Sequence, residues 1–412
     1  MGRILYELGK VDEKERAANE RASGKIGKSS FSWAWQMDGT VEERERGITM
    51  DIALNSFSTP HRHITILDAP GHRDFVPNMI SGASQADCAL LVVGASTGEF
   101  EAGFDRGGQT REHLVLVRSL GVSQVVVAVN KLDVVEWDQS RYTEIVDALK
   151  PFLLQTGFHN SKTKFVPVAA MTGVNLVKRD EPDGAELRKW YKGPTLVDLL
   201  DKLEPPARDI TSPFRFPISN VFKGSGSAVG VTGRVCAGAV QTGEKLRIVP
   251  GDESGIVKMI SYEGDNIPWA AAGQTVTLYM TAVDPIHLNV GSVLCPQTSI
   301  VPLATTFTAR IIVFDIAMPI TAGTSVELFH HSQDIPAYVS KLLSTVDRST
   351  GKEVKKSPRV LTKGVSAEVQ ITLRSAGGTG KVYSAPLETF AANKEMGRVL
   401  IRRGGETVAA GK

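Results

Sequence analysis

Two short segments, each placed where a predicted strand gives way to a loop, carry side chains suited to nucleotide chemistry. DAPG (residues 68–71) follows the apolar run HITIL, and NKLD (130–133) follows QVVVAV. In the first, the carboxylate of Asp68 can hold a Mg²⁺-bound water while the glycine N–H meets a γ-phosphate. In the second, the carboxylate of Asp133 can accept hydrogen bonds from guanine N1–H and the 2-amino group, which adenine does not offer. Either segment occurs by chance, but the two in this order on successive strands predict a guanine-nucleotide site.

Two further segments fit the same series. Thr49 in RERGITMD could bind Mg²⁺ with its hydroxyl and the γ-phosphate with its N–H, and the loop of Ala169, Ala170 and Met171 follows the strand FVPV. In that loop, the backbone of Ala170 could bond guanine O6. Taken alone, Thr49 is typical of a strand entry and the loop of a strand end. Their positions in the ordered series favour the nucleotide interpretation.

His72 directly follows the DAPG segment and has two interpretations. It is either an exposed loop histidine or the group whose imidazole orients the water that attacks the γ-phosphorus. The other histidines are weaker candidates. His61 and His63 lie on one side of a predicted strand start without an apparent third ligand, so no metal site is predicted there. His330 and His331 are expected to project to opposite faces of a strand.

Two glycine-containing segments resemble phosphate-binding loops without the required context. ASGKIGKSS (22–30) has alanine where the first glycine is expected, and the preceding VDEKERAANER is charged nearly throughout. Such a stretch predicts a solvated helix face rather than the buried strand that delivers a phosphate loop. GSGSAVG (224–230) is followed by strand-like VTGRV, which predicts a hairpin loop rather than a dinucleotide site.

The elements that must position these residues follow from the periodicity of the chain. From residue 48 to about 204, short β-rich runs alternate with helical patterns, which predicts an α/β domain with a single, mainly parallel sheet. Its functional loops would lie at the carboxyl ends of the strands. LEPPARDITSPF reads as a linker, and the short alternating runs beyond it predict all-β barrels over about 212–300 and from 303 to the end.

Composition excludes several classes of protein. There is no 18-residue apolar run and no secretory signal pattern, so neither a membrane span nor secretion is predicted. Cys88, Cys236 and Cys295 lie far apart without CxxC spacing, which argues against disulfides or zinc and is typical of a reducing cytosol. Residues 341–412 carry an excess of Lys and Arg, which suits an RNA surface, although a solvated charged face is the common default.

From residue 2 to the carboxyl terminus, the chain closely resembles the translational GTPases related to elongation factor Tu and eukaryotic elongation factor one-alpha. The segments that carry the resemblance include ERERGITMD, DAPGHRDFVPNMISGASQAD, EFEAGFDRGGQTREH and NKLD. Within that group, KWYKGPTLVDLLDKLEPP, FRFPISNVFKG and DRSTGKEVKKSPRVLTKG look most like the Hbs class, the ribosome-rescue GTPases that partner Pelota. The GTPase subunit of the termination factors is a near neighbour.

The resemblance implies an α/β P-loop-type G domain followed by two β-barrels, with boundaries at 1–207, 208–301 and 302–412. It implies binding of GTP or GDP with Mg²⁺, and hydrolysis of GTP to GDP and phosphate. Residue by residue, the implied roles are Thr49 in switch I, Asp68 and Gly71 in switch II, Thr49 and Asp68 at the metal, His72 as the catalytic histidine, Ile48 as half of a hydrophobic gate, and Asn130, Lys131 and Asp133 as readers of the base.

The resemblance also implies partners and an expected gap. A Pelota-type release factor homologue and ribosomal RNA are the implied partners of a monomeric, cytoplasmic protein. In the family, the phosphate loop precedes a helix similar to GRILYELG, with which this sequence starts, so we expect a truncated chain or incomplete gene model that lacks the first strand and the cradle lysine. The resemblance further leads us to expect that the Hbs-type amino-terminal extension is missing and that the last strand is clipped at AAGK. The alternatives are an elongation or termination GTPase, or a non-hydrolysing module that binds Pelota or the ribosome.

Overall fold

The computed structural model describes residues 1–25, 32–33, 35, 37, 43–44, 49–105, 108–179, 182–224, 226–347, 350–375 and 383–412. These residues divide into two units, Met1–Pro206 and Ala207–Lys412. Among the described residues, no helix combines the length and the apolar character needed to cross a membrane.

The first unit is built on a parallel sheet whose strands are the apolar runs of the sequence. Its order is β3 (Cys88–Gly94), β4 (Gln124–Asn130) and β5 (Thr163–Pro167). Every residue of β4 from Gln124 to Val129 is buried, as expected for a central parallel strand covered on both faces. An antiparallel hairpin of β1 (Ala53–Ser58) and β2 (His63–Asp68) accompanies this sheet.

The prediction of a single sheet was wrong in one respect. Five strands form in the region of the predicted β-rich runs, but β2 pairs only with β1, and β3 pairs only with β4, so the described strands make two sheets. The two sheets still share one core, in which Phe57 and Ile66 of the hairpin cluster with Val126 and Val166 of the parallel sheet. Hydrophobic packing rather than a continuous ladder of hydrogen bonds therefore joins them.

The helices of the first unit lie between and around these strands. They are α1 (Gly2–Glu7), α2 (Glu13–Lys25), α3 (Val76–Ala83), α4 (Glu99–Phe104), α5 (Gln109–Ser119), α6 (Gln139–Thr156), α7 (Ala185–Trp190) and α8 (Leu196–Asp201). Short 3₁₀ turns occupy Arg73–Phe75, Leu132–Val135, Asn160–Lys162 and Pro182–Gly184. Helix α2 confirms that a helix, not a strand, precedes the GKIGKSS segment, whose residues 26–30 lie outside the described part of the chain.

The second unit begins with a closed barrel. Its strands are β6 (Phe216–Lys223), β7 (Val229–Arg234), β8 (Ala239–Gln241), β9 (Lys245–Val249), β10 (Ser254–Tyr262), β11 (Asp265–Ile267), β12 (Trp269–Ala271), β13 (Thr275–Thr281) and β14 (Val293–Pro296). Six of them close in the order β9-β10-β13-β7-β6-β14, because β10 also pairs with β9. The connection between the antiparallel strands β6 and β7 lies within the glycine-rich stretch 224–230, which confirms the predicted hairpin loop.

A second closed barrel completes the unit. Its strands are β15 (Leu303–Ala304), β16 (Thr306–Val313), β17 (Ser325–His330), β18 (Gln333–Val346), β19 (Glu353–Lys356), β20 (Ser366–Leu373), β21 (Ala385–Pro386), β22 (Val399–Arg403) and β23 (Glu406–Gly411). The ring is β17-β22-β23-β16-β20-β18, with β19 added at the edge of β18. Period-two burial along β16 places Ala309, Ile311 and Val313 in the core.

His330 and His331 do not point to opposite faces as predicted. Their rings meet edge to face with centroids 4.6 Å apart. The reason is that β17 ends at His330, and His331 has a left-handed φ of 52° in the turn before β18, so the alternation of a strand no longer applies.

Candidate functional site

The carboxyl ends of the parallel strands bring part of the predicted site together. Gly94 of β3 lies opposite Asn130 of β4 in the register, and Val129 lies opposite Pro167 of β5. The backbone N–H of Ala95 donates to the Asn130 carbonyl at 2.8 Å. The loops that follow the three strands therefore start from one edge of the sheet, which is where α/β proteins bind ligands.

The side chain of Asn130 holds the loop that follows β5. Its Oδ1 accepts a hydrogen bond from the N–H of Ala170 at 2.9 Å. The loop itself is closed by the Gly173 N–H, which donates to the carbonyl of Ala169 at 2.9 Å, and by a backbone bridge from Ala169 to Val174. The Ala170 N–H, which the sequence suggested as a hydrogen-bond donor to guanine O6, thus donates to Asn130 within the protein. Asn130 therefore orders this loop. Ala169 is fully buried, whereas half of the Met171 surface is exposed.

Lys131 and Asp133 sit on a tight turn anchored in the core. Lys131 adopts a left-handed φ of 63°, which is uncommon for a residue with a side chain. Leu132, fully buried, fixes the 3₁₀ turn that follows. Among the described residues, no donor is assigned to the half-buried carboxylate of Asp133. An acceptor in this position is suited to a ligand that brings N–H donors.

A residue that sequence reasoning missed, Glu99, pairs with Lys131. The Lys131 Nζ lies 2.7 Å from Glu99 Oε1. The Glu99 carboxyl group rests against Gly94, where a Cβ atom would lie 2.5 Å from its Cδ. A glycine at the end of β3 followed five residues later by an acid was the only signal in the sequence, and it was too weak to use. The pair places the Lys131 ammonium over the end of β3.

Arg141 of α6 fixes the loop that carries Glu99. Its Nε donates to the carbonyl of Ala95 at 2.9 Å, and its guanidinium lies 2.8 Å from the Glu101 carboxylate. The hydrogen bond from Arg141 is the main reason that the pKa of Glu101 falls to about 2. Glu101 in turn accepts from the N–H of Gly98 at 2.8 Å. The segment between β3 and α4 is therefore braced from both ends.

Asp68 and Gly71 lie at the end of the β1–β2 hairpin. Asp68 closes β2, and partial burial raises the pKa of its carboxyl group. Gly71 is exposed, and a Cβ atom added there would meet nothing within 4 Å. Packing around a side chain therefore does not require a glycine at this position.

His72 faces outward over the turn that follows. Its Nδ1 accepts from the Asp74 N–H at 3.3 Å and lies 3.4 Å from the Asp74 carboxylate. The ring tilts against Phe75 with centroids 6.2 Å apart, and nearly half of the side chain is exposed. The imidazole is thus held by its own turn and is accessible from solvent.

The segment after Thr49 is tied to the helix that follows the DAPG segment. The N–H groups of Met50 and Asp51 both donate to Glu43 Oε1, at 2.9 Å and 3.1 Å, and Glu43 is almost fully buried. Asn78 of α3 donates from Nδ2 to the Met50 carbonyl at 2.7 Å. The sequence did not predict the roles of Glu43 and Asn78, because their distances along the chain from residues 50 and 51 indicate no contact within a helix or strand. Ile48, the expected gate residue, lies outside the described residues.

The side-chain oxygens of Thr49 and Asp68 are suitable ligands for Mg²⁺. Thr49 offers a hydroxyl and Asp68 a carboxylate, both hard oxygen ligands of the kind that Mg²⁺ prefers. In the described part of the chain, no group of three or more His, Cys, Asp or Glu side chains could hold a metal ion. A cation bound with one or two protein ligands, waters and substrate phosphates fits such a site. It would also stabilise the ionised form of the partly buried Asp68.

Comparison with known proteins gives matches over the whole chain. The family described as "Elongation factor Tu GTP binding domain" matches residues 1–206, and "GTP-eEF1A C-terminal domain-like" matches 306–412. Protein HBS1 of Drosophila melanogaster is 43% identical over an aligned length of 413 residues, which covers all of this chain and 60% of that protein. Elongation factor 1-alpha of Ignicoccus hospitalis is 38% identical over 415 residues, which are 91% of that protein.

Among solved structures, the chain is similar to the GTPase-like domain of S. cerevisiae Ski7 bound to GTP. The TM-score is 0.79 at 17% identity, over all of this chain and 93% of that one. The elongation factor SelB of Methanococcus maripaludis, in complex with the GTP analogue GppNHp, gives a TM-score of 0.66 at 23% identity, over 88% and 73%. At these identities the likeness supports the fold alone.

Proposed function

The chain belongs to the elongation factor Tu family of GTP-binding proteins, which are GTPases of translation, and on this premise we propose that it acts as an Hbs-class GTPase in the rescue of stalled ribosomes. In this role it hydrolyses GTP to GDP and phosphate, and takes part in mRNA surveillance. The similarity to HBS1 supports the class. The main structural support for a guanine site is the hydrogen bond from Ala170 N–H to Asn130 Oδ1. This bond joins the loop after β4, which includes Asp133, to the loop after β5.

Each residue of the site has a proposed task. Asp133 accepts two hydrogen bonds from guanine, Asn130 keeps the 169–171 loop against the base, and the aliphatic stem of Lys131 covers the ring. Thr49 and Asp68 hold Mg²⁺, which, when bound, neutralises charge that develops on the phosphates. Gly71 presents its N–H to the γ-phosphate. His72 orients the attacking water, a task of positioning that its exposed ring can perform once the ribosome covers it.

The partners belong to the same proposal. We assign a Pelota-type release factor homologue and ribosomal RNA as partners of a monomeric, cytoplasmic protein, with a G domain over 1–207 and barrels over 208–301 and 302–412. Hydrolysis on the ribosome would release the partner into the decoding region. The similarity to elongation factor 1-alpha keeps aminoacyl-tRNA delivery as the second candidate.

The base-recognition assignment is tested with Asp133→Asn. Losing two charge-assisted bonds at roughly 1.5 to 3 kcal/mol each should weaken binding of fluorescent GDP by a hundredfold or more. Xanthine nucleotide, which has a carbonyl where guanine has its 2-amino group, should gain affinity for this variant. Asp147→Asn, an exposed acid on α6, serves as the control. Unchanged GDP affinity in Asp133→Asn would remove the assignment.

The catalytic and partner assignments are tested on stalled ribosomes. GTP turnover should rise when ribosomes and a Pelota-type partner are added together, and His72→Ala should lose this stimulation by about a hundredfold or more, the scale of a positioned catalytic group. His159→Ala, another histidine in an exposed turn, should keep it. Recovery of charged tRNA or of a class-one release factor on co-purification would instead favour elongation or termination.

A further inference from the structure

Arg3 of α1 reaches across the first unit to the loop that follows β5. Its Nη1 donates to the carbonyl of Met171 and its Nη2 to the carbonyl of Thr172, each at 3.2 Å. Two successive carbonyls match the fixed fork of a guanidinium group, whereas a lysine ammonium has no such planar pair of donors. The contact spans 168 residues of sequence.

The guanidinium group is itself held in place. Glu7, one helical turn further along α1, accepts from Arg3 Nε at 2.8 Å and lies 2.6 Å from Nη2. The Arg3 guanidinium also lies 4.8 Å from the ring centroid of Trp33 and 5.8 Å from that of Tyr6. Only 21% of the Arg3 side chain and 16% of the Glu7 side chain are exposed. An arginine fixed on several sides loses little freedom when it binds the loop.

The loop is shaped to receive this arginine. Gly173 has a φ of 88°, and a Cβ atom there would lie 2.8 Å from Arg3 Nη2 and 3.0 Å from Glu7 Oε1. The turn therefore packs directly on the Arg3–Glu7 pair. Asn130 holds the same loop from the other side through Ala170. Residues 169–173 are thus clamped between the end of β4 and the first helix.

We propose that Arg3 is a positioning residue for base recognition, which fixes the 169–173 loop so that Asp133 and the loop present one rigid surface to guanine. This inference rests on the proposed function, because the loop is assigned to the base there. Arg3 itself does not touch the nucleotide. Without it the loop opens more often, and bound guanine nucleotide leaves sooner.

The experiment compares Arg3→Met and Arg3→Lys with a matched control, Arg118→Lys, in the full chain. Arg118 also donates to a backbone carbonyl, that of Gly157 at 2.9 Å. Gly157 has a φ of 103°, and the Arg118 guanidinium lies 5.9 Å from the ring centroid of Phe158. Like Arg3, it therefore combines a carbonyl bond, a left-handed glycine and an aromatic ring, but it serves a different loop. Amide exchange of Ala170 and Gly173 is measured first, without nucleotide.

We expect Arg3→Met to speed exchange of those two amides and to weaken fluorescent GDP binding about tenfold, through faster release at an unchanged association rate. Arg3→Lys should lie between Met and wild type, and Arg118→Lys should change neither quantity. If Arg3 has only a structural role, Arg3→Met should lower the unfolding midpoint without changing the rate of GDP release. That result would overturn this inference but not the proposed function. Absence of GDP binding by the wild-type chain would overturn the proposed function, and the inference with it.

Discussion

The ion pair of Arg215 and Glu388 joins the two barrels of the second unit at a site almost closed to water. The Arg215 Nη2 lies 2.8 Å from Glu388 Oε1, and only 5% and 12% of the two side chains are exposed. Arg215 also donates to the carbonyls of Phe214 and Ser299. The two carbonyls satisfy guanidinium N–H groups but do not neutralise the buried charge, so the stability of the buried cation depends on the Glu388 carboxylate.

Glu388→Gln keeps the shape of this site but removes the charge. We expect the free energy of unfolding of the second unit to fall by about 3 kcal/mol, because Arg215 stays buried without a counterion. The matched control is Glu368→Gln, whose carboxylate lies 2.7 Å from Arg310 with 42% of the arginine and 35% of the glutamate exposed. Because that pair is exposed, its loss in Glu368→Gln should lower the free energy of unfolding by less than about 1 kcal/mol. Urea-dependent amide exchange in the barrel strands measures both, and equal losses would contradict the role of burial.

Some residues of the site could be predicted from the sequence and others could not, depending on whether they form a local pattern. Asn130, Lys131 and Asp133 belong to one tetrapeptide, NKLD, at the end of a buried strand, and such a pattern can be recognised from the sequence. Glu43 and Arg3 could not be recognised, because each binds backbone groups that every residue type carries, Glu43 seven and eight residues away and Arg3 168 and 169 residues away. Those partners meet only through tertiary packing, which leaves no periodicity along the chain.

At the scale of elements, the β1–β2 hairpin is fastened to the end of α8. Asp201 accepts from the His61 N–H at 2.9 Å and lies 2.7 Å from His61 Nδ1. Arg62 donates to the carbonyl of Leu203 at 3.0 Å. The turn opposite the DAPG end of the hairpin is therefore anchored to the helix that closes the first unit.

Asp201→Ala should release this turn. We expect the protection of the His61 amide against exchange to fall about tenfold, since it loses a charged acceptor. Asp147→Ala, which removes an exposed acid from α6, should leave it unchanged. Unaltered protection of His61 in Asp201→Ala would show that other contacts hold the turn.

The same fastening predicts a dependence on pH. Hydrogen bonds from Thr59 and then His61 lower the pKa of Asp201 from its ordinary 3.8 to about 2. A lowered carboxyl pKa means that the stabilisation is complete above pH 3.8 and is lost as pH falls through about 2. Protection of the His61 amide, corrected for intrinsic exchange, should hold from pH 7 to 4 and decline below that. A decline already complete at pH 4 would contradict the lowered pKa.

The existence of elements was easier to predict than their pairing. QVVVAV was identifiable as a buried strand, and the helical patterns predicted between residues 48 and about 204 were confirmed by helices such as α5 and α6. The division of five strands into two sheets was not, because strand partners depend on edges that no local pattern specifies. The barrels were recognised from alternation alone, yet their closing pairs, β9 with β10 and β17 with β18, needed the structure.

At the scale of the whole molecule, the second unit depends on a buried polar junction where the barrels meet. His330 of the second barrel is 2% exposed and shares a hydrogen bond of 3.0 Å between Nε2 and the carbonyl of Met396. Arg234 of the first barrel lies 3.6 Å from Glu395 of the second, beside His331. Burial lowers the pKa of His330 from 6.5 to about 4, and lowers that of His331 well below its usual range, with His330, Arg234 and Arg398 acting in the same direction.

These shifts make the second unit sensitive to acid. Above pH 6.5, His330 is neutral in both the folded and the unfolded chain, so it has no effect on stability. Between pH 6.5 and about 4 the unfolded chain binds a proton that the folded chain does not, so the free energy of unfolding decreases as the pH falls. The loss from His330 alone should reach about 3 kcal/mol at pH 4, at 1.36 kcal/mol for each unit of pKa.

His330→Gln tests this origin, because a glutamine amide can donate to Met396 but does not titrate. Between pH 7 and pH 4, the free energy of unfolding of the variant should decrease by about 3 kcal/mol less than that of the wild type. The stability of the variant at pH 7 does not matter, because only the change with pH reports proton binding by His330. His287→Gln, an exposed histidine of the same unit, should follow the wild-type curve. Urea titrations at the two pH values, followed by amide exchange in β17 and β22, supply the measurement. Equal acid losses in His330→Gln and wild type would assign the sensitivity to His331 or to the Arg234–Glu395 pair instead.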